Sequence, residues 1–169
     1  SAGWQPIVAS VTASNGSYNW TIPNVPSDSV KVRVVSTVDN SISDESDAYL
    51  RIASVNFTSP LTTTKWQAGD TETLTWINSS NVNKVNLFYK IGTGTWTGIA
   101  MNNDASQGSY LWRIPDVSSQ QIYLRIEDYS APSSIYDETS FANTISNLAI
   151  TVPTGSTVWI AGSTQEISW

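Results

Sequence analysis

The chain has 169 residues, no Cys, no His and a formal charge of −6. The two missing residue types exclude a Ser-His-Asp triad, a Cys-His pair, the common zinc sites and any disulfide framework, and with only eight Lys and Arg the acidic balance argues against nucleic acid or an anionic membrane face as partner. Charged residues make up 13%, about half the usual ~25%, and Ser and Thr are abundant, a polar uncharged surface of the kind secreted and cell-surface proteins carry.

In chain order, the first segment is already half of a repeat. Gly16-Ser17-Tyr18-Asn19-Trp20-Thr21-Ile22-Pro23 returns as Gly108-Ser109-Tyr110-Leu111-Trp112-Arg113-Ile114-Pro115. Trp66-Gln67-Ala68-Gly69 returns as Trp159-Ile160-Ala161-Gly162. All eight tryptophans fall into four pairs at this spacing, Trp4 with Trp96, Trp20 with Trp112, Trp66 with Trp159 and Trp76 with Trp169. The offset is 92 early and 93 late, so one residue is gained or lost between Arg33 and Asp44. Modules of about ninety residues follow. Residues 1–52 match the later part of a repeat, 53–145 form a complete one, and 146–169 open another. The stretch equivalent to Ile77 through Gly92 occurs in the central copy alone, and the broken phase at both ends leads us to expect a fragment of a longer array.

Within the complete repeat, apolar and polar residues alternate with a period of two. This predicts strands near 53–58, 71–77, 84–91, 95–101, 108–114, 121–127 and 145–152, with turns at Asn78-Ser79-Ser80-Asn81 and Asn102-Asn103-Asp104. Seven short strands at such intervals predict an all-β fold of tandem immunoglobulin- or fibronectin-like β-sandwiches repeating every 92 residues or so. Alternation also assigns the faces. Tyr110, Trp112 and Ile114, like Tyr18, Trp20 and Ile22, point to the core, as do Leu74 and Trp76 with their counterparts Ile167 and Trp169. Ile122, Leu124 and Ile126 match Val30, Val32 and Val34 on the inner side. Arg125, like Arg33, is then outward and available to a neighbour.

These words carry a resemblance. Pro60, Trp66 to Gly69, Leu74 to Trp76, Lys84 to Tyr89, Trp96, Gly108 to Pro115 and Leu124 to Asp128 together resemble the Ser/Thr-rich GPI-anchored surface-protein repeat family, and are similar to repeats of fungal cell-wall glucan-synthesis proteins and of large bacterial and archaeal surface proteins. The resemblance implies an immunoglobulin-like sandwich at the cell surface and transfers no catalytic residue.

The remaining chemistry is limited. Asp44, Glu45 and Asp47, and again Asp137 and Glu138, cluster in stretches that read as solvated turns. A weak calcium site is the sharper alternative, without an oxygen-ligand motif to support it, and a paired-carboxylate hydrolase would need two such groups across a cleft. No metal ligand and no cofactor is therefore assigned. Trp20, Trp76, Trp112 and Trp169 lie on apolar faces as core. Trp4, Trp66, Trp96 and Trp159 stand nearer turns and Gly, where an exposed indole would stack on a sugar ring or meet a neighbouring module. Sequons occur at Asn15, Asn19, Asn56 and Asn78. No run of 18 apolar residues is present, so no membrane insertion is expected within this chain.

The reading is a non-catalytic structural repeat of an extracellular array, stalk or filament, with neighbouring repeats or identical subunits as partners. One form of it is strand exchange, in which Ile150, Val152, Ile167 and Trp169 contribute strands to the incomplete sandwich of another subunit. The alternative is an adhesin or polysaccharide-binding module that uses the turn-side tryptophans.

Overall fold

A computed structural model describes residues 3–169, with the backbone alone at 119–120. Among the described residues it is nearly all-β, with several sheets and two single-turn 3-10 segments. The chain divides into two compact units, Ser1–Ala53 with Ser79–Asn81, and Ser54–Asn78 with Val82–Trp169.

The first unit contains β1 (Ser27–Val30), β2 (Arg33–Val35), β3 (Ser43–Glu45) and β4 (Leu50–Ile52). β1 pairs antiparallel with β4, Ser27 opposite Ile52 and Val30 opposite Leu50. β2 pairs with β3, Arg33 opposite Glu45 and Val35 opposite Ser43. The Lys31 ammonium donates to the carbonyls of Ser46 and Asp47 at 2.5 and 3.2 Å, tying this hairpin shut from its base. No described residue of 3–53 is buried. Two layers of sheet are needed to enclose a core, and this unit has two small two-stranded sheets only.

The second unit has that core. A three-stranded sheet of order β10-β7-β5 joins β10 (Ser109–Arg113), β7 (Thr71–Asn78) and β5 (Val55–Ser59). A six-stranded sheet runs β6-β13-β11-β8-β9, with β12 (Tyr136–Glu138) also on β11; its other members are β6 (Lys65–Gln67), β8 (Lys84–Ile91), β9 (Thr97–Asp104), β11 (Ser119–Asp128) and β13 (Asn143–Ser146). The inner faces of both sheets supply the buried set: Val55, Phe57, Leu74, Trp76, Trp112 and Ile114 from one, and Trp66, Val85, Leu87, Ile122, Leu124, Ile126 and Ile145 from the other. This arrangement is consistent with a β-sandwich. The two sheets are also tied by a polar group: Asp137 Oδ2, on β12, accepts the Phe57 amide of β5 at 2.9 Å. Within the six-stranded sheet, Asn143, fully buried, accepts from the Thr64 amide at 3.0 Å and donates to the Ile122 carbonyl at 3.3 Å.

Several expected boundaries move. Asn102–Asp104 is the end of β9 rather than a turn: Asn102 has φ 54° and donates its amide to the Asn86 side chain at 2.9 Å, at an irregularity of the β8–β9 pairing where an extra residue bends the strand. The expected strand 145–152 ends at Ser146, with one isolated bridge, Val152 to Ser168, beyond it. Asp44 and Glu45, and Asp137 and Glu138, lie in strands β3 and β12 rather than in turns.

Local geometry recurs at the sequence offset. The turns Ala13–Asn15 and Ala105–Gln107 each end on a left-handed glycine, Gly16 at φ 66° and Gly108 at φ 63°. Gly69 and Gly162 have φ 85° and 82°. Val30 opposite Leu50 corresponds to Ile122 opposite Asn143, and Val152 opposite Ser168 corresponds to Ser59 opposite Thr75. Val35 opposite Ser43 corresponds to Glu127 opposite Tyr136, so the one-residue change of offset falls in the hairpin connections 36–42 and 128–135.

Candidate functional site

Three surfaces are candidates: the apolar faces of the incomplete copies, the turn-side tryptophans and the carboxylates. The apolar faces differ most from expectation. Ile114 is 1% exposed and its counterpart Ile22 is 54% exposed; Ile126 and Val34 are at 0% and 71%; Trp76 and Trp169 are at 3% and 77%. Tyr18 and Ile167 are exposed as well, and Trp20 is half-buried. The expected core roles of Tyr18, Trp20, Ile22, Ile167 and Trp169 are thus corrected. The inward face exists in the sequence, and in these two stretches its residues are exposed or half-buried.

The strand-exchange residues lie on one such face. Ile150 is exposed, and Val152 bridges Ser168, receiving its amide and donating its own across the pair at 3.0 and 3.3 Å. Ile167 and Trp169 flank that bridge with their side chains in solvent. Exposed apolar side chains grouped in this way form an adhesive surface.

The four turn-side tryptophans have separate fates. Trp66 is buried, its ring edge-on to Trp112 with centroids 5.4 Å apart; its indole is closed to a sugar ring, because β6 is drawn inward by parallel pairing with β13. Trp96 is half-buried with Lys90 Nζ 4.4 Å above its ring. Trp4 is half-exposed under the Arg33 guanidinium at 5.7 Å. Trp159 is exposed at the position where Trp66 is buried.

The carboxylates are occupied with structure. Arg125 lies on the outer face of β11 as alternation requires, yet it is not available to a neighbour. It donates to Glu127 at 2.8 Å, to Glu138 at 2.7 Å and to the Pro132 carbonyl at 2.7 Å, with Tyr136 4.0 Å beneath its guanidinium. Burial pulls its pKa down, and the bonds to Glu138 and Glu127 overcome that, leaving it above its ordinary value. Sequence reasoning missed this cluster because Glu127 is two residues away along one strand and Glu138 is reached only through the hairpin register. An open depression near Gly69 and Ile114 contains one acid, Asp116, which accepts from Asn147 at 3.0 Å. Among the described residues no group of three or more acidic side chains is placed to hold a metal ion, and no helix is long and apolar enough to cross a membrane. No protein-family model matches the chain, and no curated protein matches it.

Proposed function

We propose that this chain is a non-catalytic structural stretch of an extracellular array, stalk or filament, built of tandem immunoglobulin-like sandwiches of about ninety residues. The observation that carries the reading is the conformational recurrence: residues one repeat apart form the same glycine-ended turns and the same strand registers, as the modules of a repeat protein do. The central module, residues 53–145, supplies its own core, whereas 1–52 and 146–169 present inward-type residues to solvent. Modules of this kind act by stacking on their neighbours, since each copy repeats the same scaffold residues.

The acidic groups support a scaffold over an enzyme. A hydrolytic pair needs two carboxylates facing a substrate cleft, one of them protonated at working pH. Asp137 is bonded to the β5 backbone and Glu138 to Arg125, so both are engaged as acceptors that hold strands together. The low charge and the abundance of Ser and Thr fit an outer surface, as does the resemblance to GPI-anchored surface-protein repeats. Antibody raised against residues 53–145 and applied to intact cells that make the chain is expected to label their surface. Label appearing only after the cells are opened overturns the placement.

Trp159 favours a second reading. Its exposure where Trp66 is buried leaves an indole free to stack on a polysaccharide, as an adhesin would use it. A tryptophan emission shift on adding polysaccharide, lost in Trp159→Ala, is what that reading requires.

A further inference from the structure

We infer that Asn56 is a glycan attachment site and that the first sugar of an N-linked oligosaccharide there covers Ile77. The inference deepens the surface reading, on which it rests, by naming a modification of the complete module.

The complete module holds two sequons, Asn56-Phe57-Thr58 and Asn78-Ser79-Ser80, and the fold treats them differently. Burial alternates along β5: Val55 and Phe57 are enclosed, so Asn56 and Thr58 point out of the sandwich. Asn56 is exposed, and its carboxamide makes no hydrogen bond among the described residues. The Thr58 hydroxyl shares this face, 2.7 Å from the Thr75 hydroxyl. β5 is also the last strand in the order β10-β7-β5, which sets the acceptor at the end of a sheet.

Asn78 has the opposite setting. Its side chain is half-buried and donates to the Val82 carbonyl at 3.1 Å, across the turn that leaves β7. Ser79 is buried, with its hydroxyl on the Asn81 side chain at 2.9 Å, and Val82 is buried as well. A sugar on Asn78 Nδ2 would set a ring against the backbone of its own turn. One on Asn56 meets solvent.

The chemistry is a transfer from a lipid-phosphate-linked oligosaccharide. Asn56 Nδ2 forms the bond to the anomeric carbon, and the bond from that carbon to the phosphate oxygen breaks. The lipid phosphate leaves with the electron pair, and one amide proton goes to a base of the transferase.

The residue across the sheet from Asn56 gives the glycan its role. Ile77 lies directly opposite Asn56 and is 62% exposed, on an outward face that otherwise carries the hydroxyls of Thr58, Thr73, Thr75 and Ser109. Directly opposed side chains of an antiparallel pair have Cβ atoms about 4.5–5.5 Å apart, which brings the C–H face of the first sugar ring over Ile77. Apolar surface leaves water there, and a bulky, solubilising group keeps this sheet face clear of other modules and chains.

Trypsin places the two sequons in separate peptides, residues 52–65 and 66–84, so the test is direct. Chain recovered from the cells that make it, after the surface labelling above, is digested and fragmented by an electron-driven method that leaves glycans attached. The 52–65 peptide is expected to carry its glycan on Asn56 in most chains, and the 66–84 peptide to be unmodified. Asn56→Gln and Thr58→Val should each return the 52–65 peptide to its unmodified mass, whereas Asn78→Gln should leave its glycan in place. The urea midpoint of Asn56→Gln is expected to fall below that of the glycosylated chain, and in an Ile77→Thr background the two midpoints should nearly coincide. Equal midpoints without the Ile77 change overturn the covering of Ile77. A bare Asn56, a sugar localised to Thr58 or another hydroxyl instead, or equal occupancy at Asn78 overturns the site. Bare Asn56 on chain that labels at the cell surface defeats the site alone, whereas glycosylated chain that never labels there defeats the surface reading alone.

Discussion

Residues 108–126 and 16–34 have nearly the same words and opposite fates. In the later stretch Trp112, Ile114, Ile122, Leu124 and Ile126 are buried; in the earlier one Ile22 and Val34 are exposed and no residue is fully enclosed. What survives in both is the structure whose partners lie in the same copy: the glycine-ended turn, the hairpin of β2 with β3 or of β11 with β12, and the pairing of β1 with β4 or of β11 with β13. Residues 17–23 match β10 and 5–12 match β9, yet neither forms a strand, whereas β10 pairs with β7 and β9 with β8 in the later copy. A strand sequence specifies a face and a register; burial is specified by whichever segment arrives to cover it.

Matched substitutions sharpen this contrast, and the largest effect belongs to the tryptophans. Trp112→Ala should destabilise the second unit by about 3–5 kcal/mol, the usual loss for an enclosed Trp. Trp20→Ala should change the stability of dilute monomer by less than about 1 kcal/mol. Urea unfolding followed by circular dichroism measures both, and equal losses would mean that residues 16–34 are covered in solution. Asn143→Leu comes next. It installs the residue that the earlier copy has at Leu50 and leaves the half-buried Thr64 amide without its side-chain acceptor, which costs about 1–3 kcal/mol. The reverse change, Leu50→Asn, should be close to neutral because that site is exposed.

Ion pairs repeat the pattern at smaller scale. Arg125 is held by Glu127 and Glu138 at 2.8 and 2.7 Å with little exposure. In the earlier copy Arg33 approaches Glu45 at 3.9 Å, and Val35 replaces the second acid. Arg125→Ala removes charge-assisted bonds and leaves the buried Glu127 carboxylate without its counter-charge, the Asn86 side chain still donating to it at 3.2 Å, and should cost about 1–3 kcal/mol. Arg33→Ala should cost no more than about 0.5 kcal/mol, as solvated pairs do. A double-mutant cycle on each pair separates coupling from lost packing.

The division between what the sequence discloses and what it withholds follows the same line. Alternation over eight residues locates β7 and β8 almost to the residue, because a period of two needs several repeats to be recognised. β6 and β12 have three residues each, too few to show a period, and both exist through their neighbours, β13 and β11. The Asn102–Asp104 stretch has turn chemistry because it is a bulge, and composition does not distinguish the two. The exposed apolar faces were half legible: the pattern marks Ile167 and Trp169 as inward-facing, while their exposure depends on which strands lie opposite and not on local preference.

The smallest difference concerns the turn that receives the Trp76 indole. Asp104 caps it, accepting from the Ser106 amide at 3.4 Å and its hydroxyl at 3.1 Å. The earlier copy has Thr12 there, without a capping bond. The Ser106 hydroxyl bond, with the Lys84 charge next, holds the Asp104 carboxyl below its ordinary pKa. A carboxyl lowered in the folded state stabilises fully above its unfolded pKa, and that contribution disappears as pH falls through the folded value. Amide exchange at Ser106 should therefore quicken relative to the pH-corrected intrinsic rate only on acidification below the ordinary carboxylate range. Asp104→Asn should flatten that response, and the Asn15 amide of the Thr12 turn should show none. Acid loosening of both turns alike would trace the effect to the modules as wholes and remove the cap from the comparison.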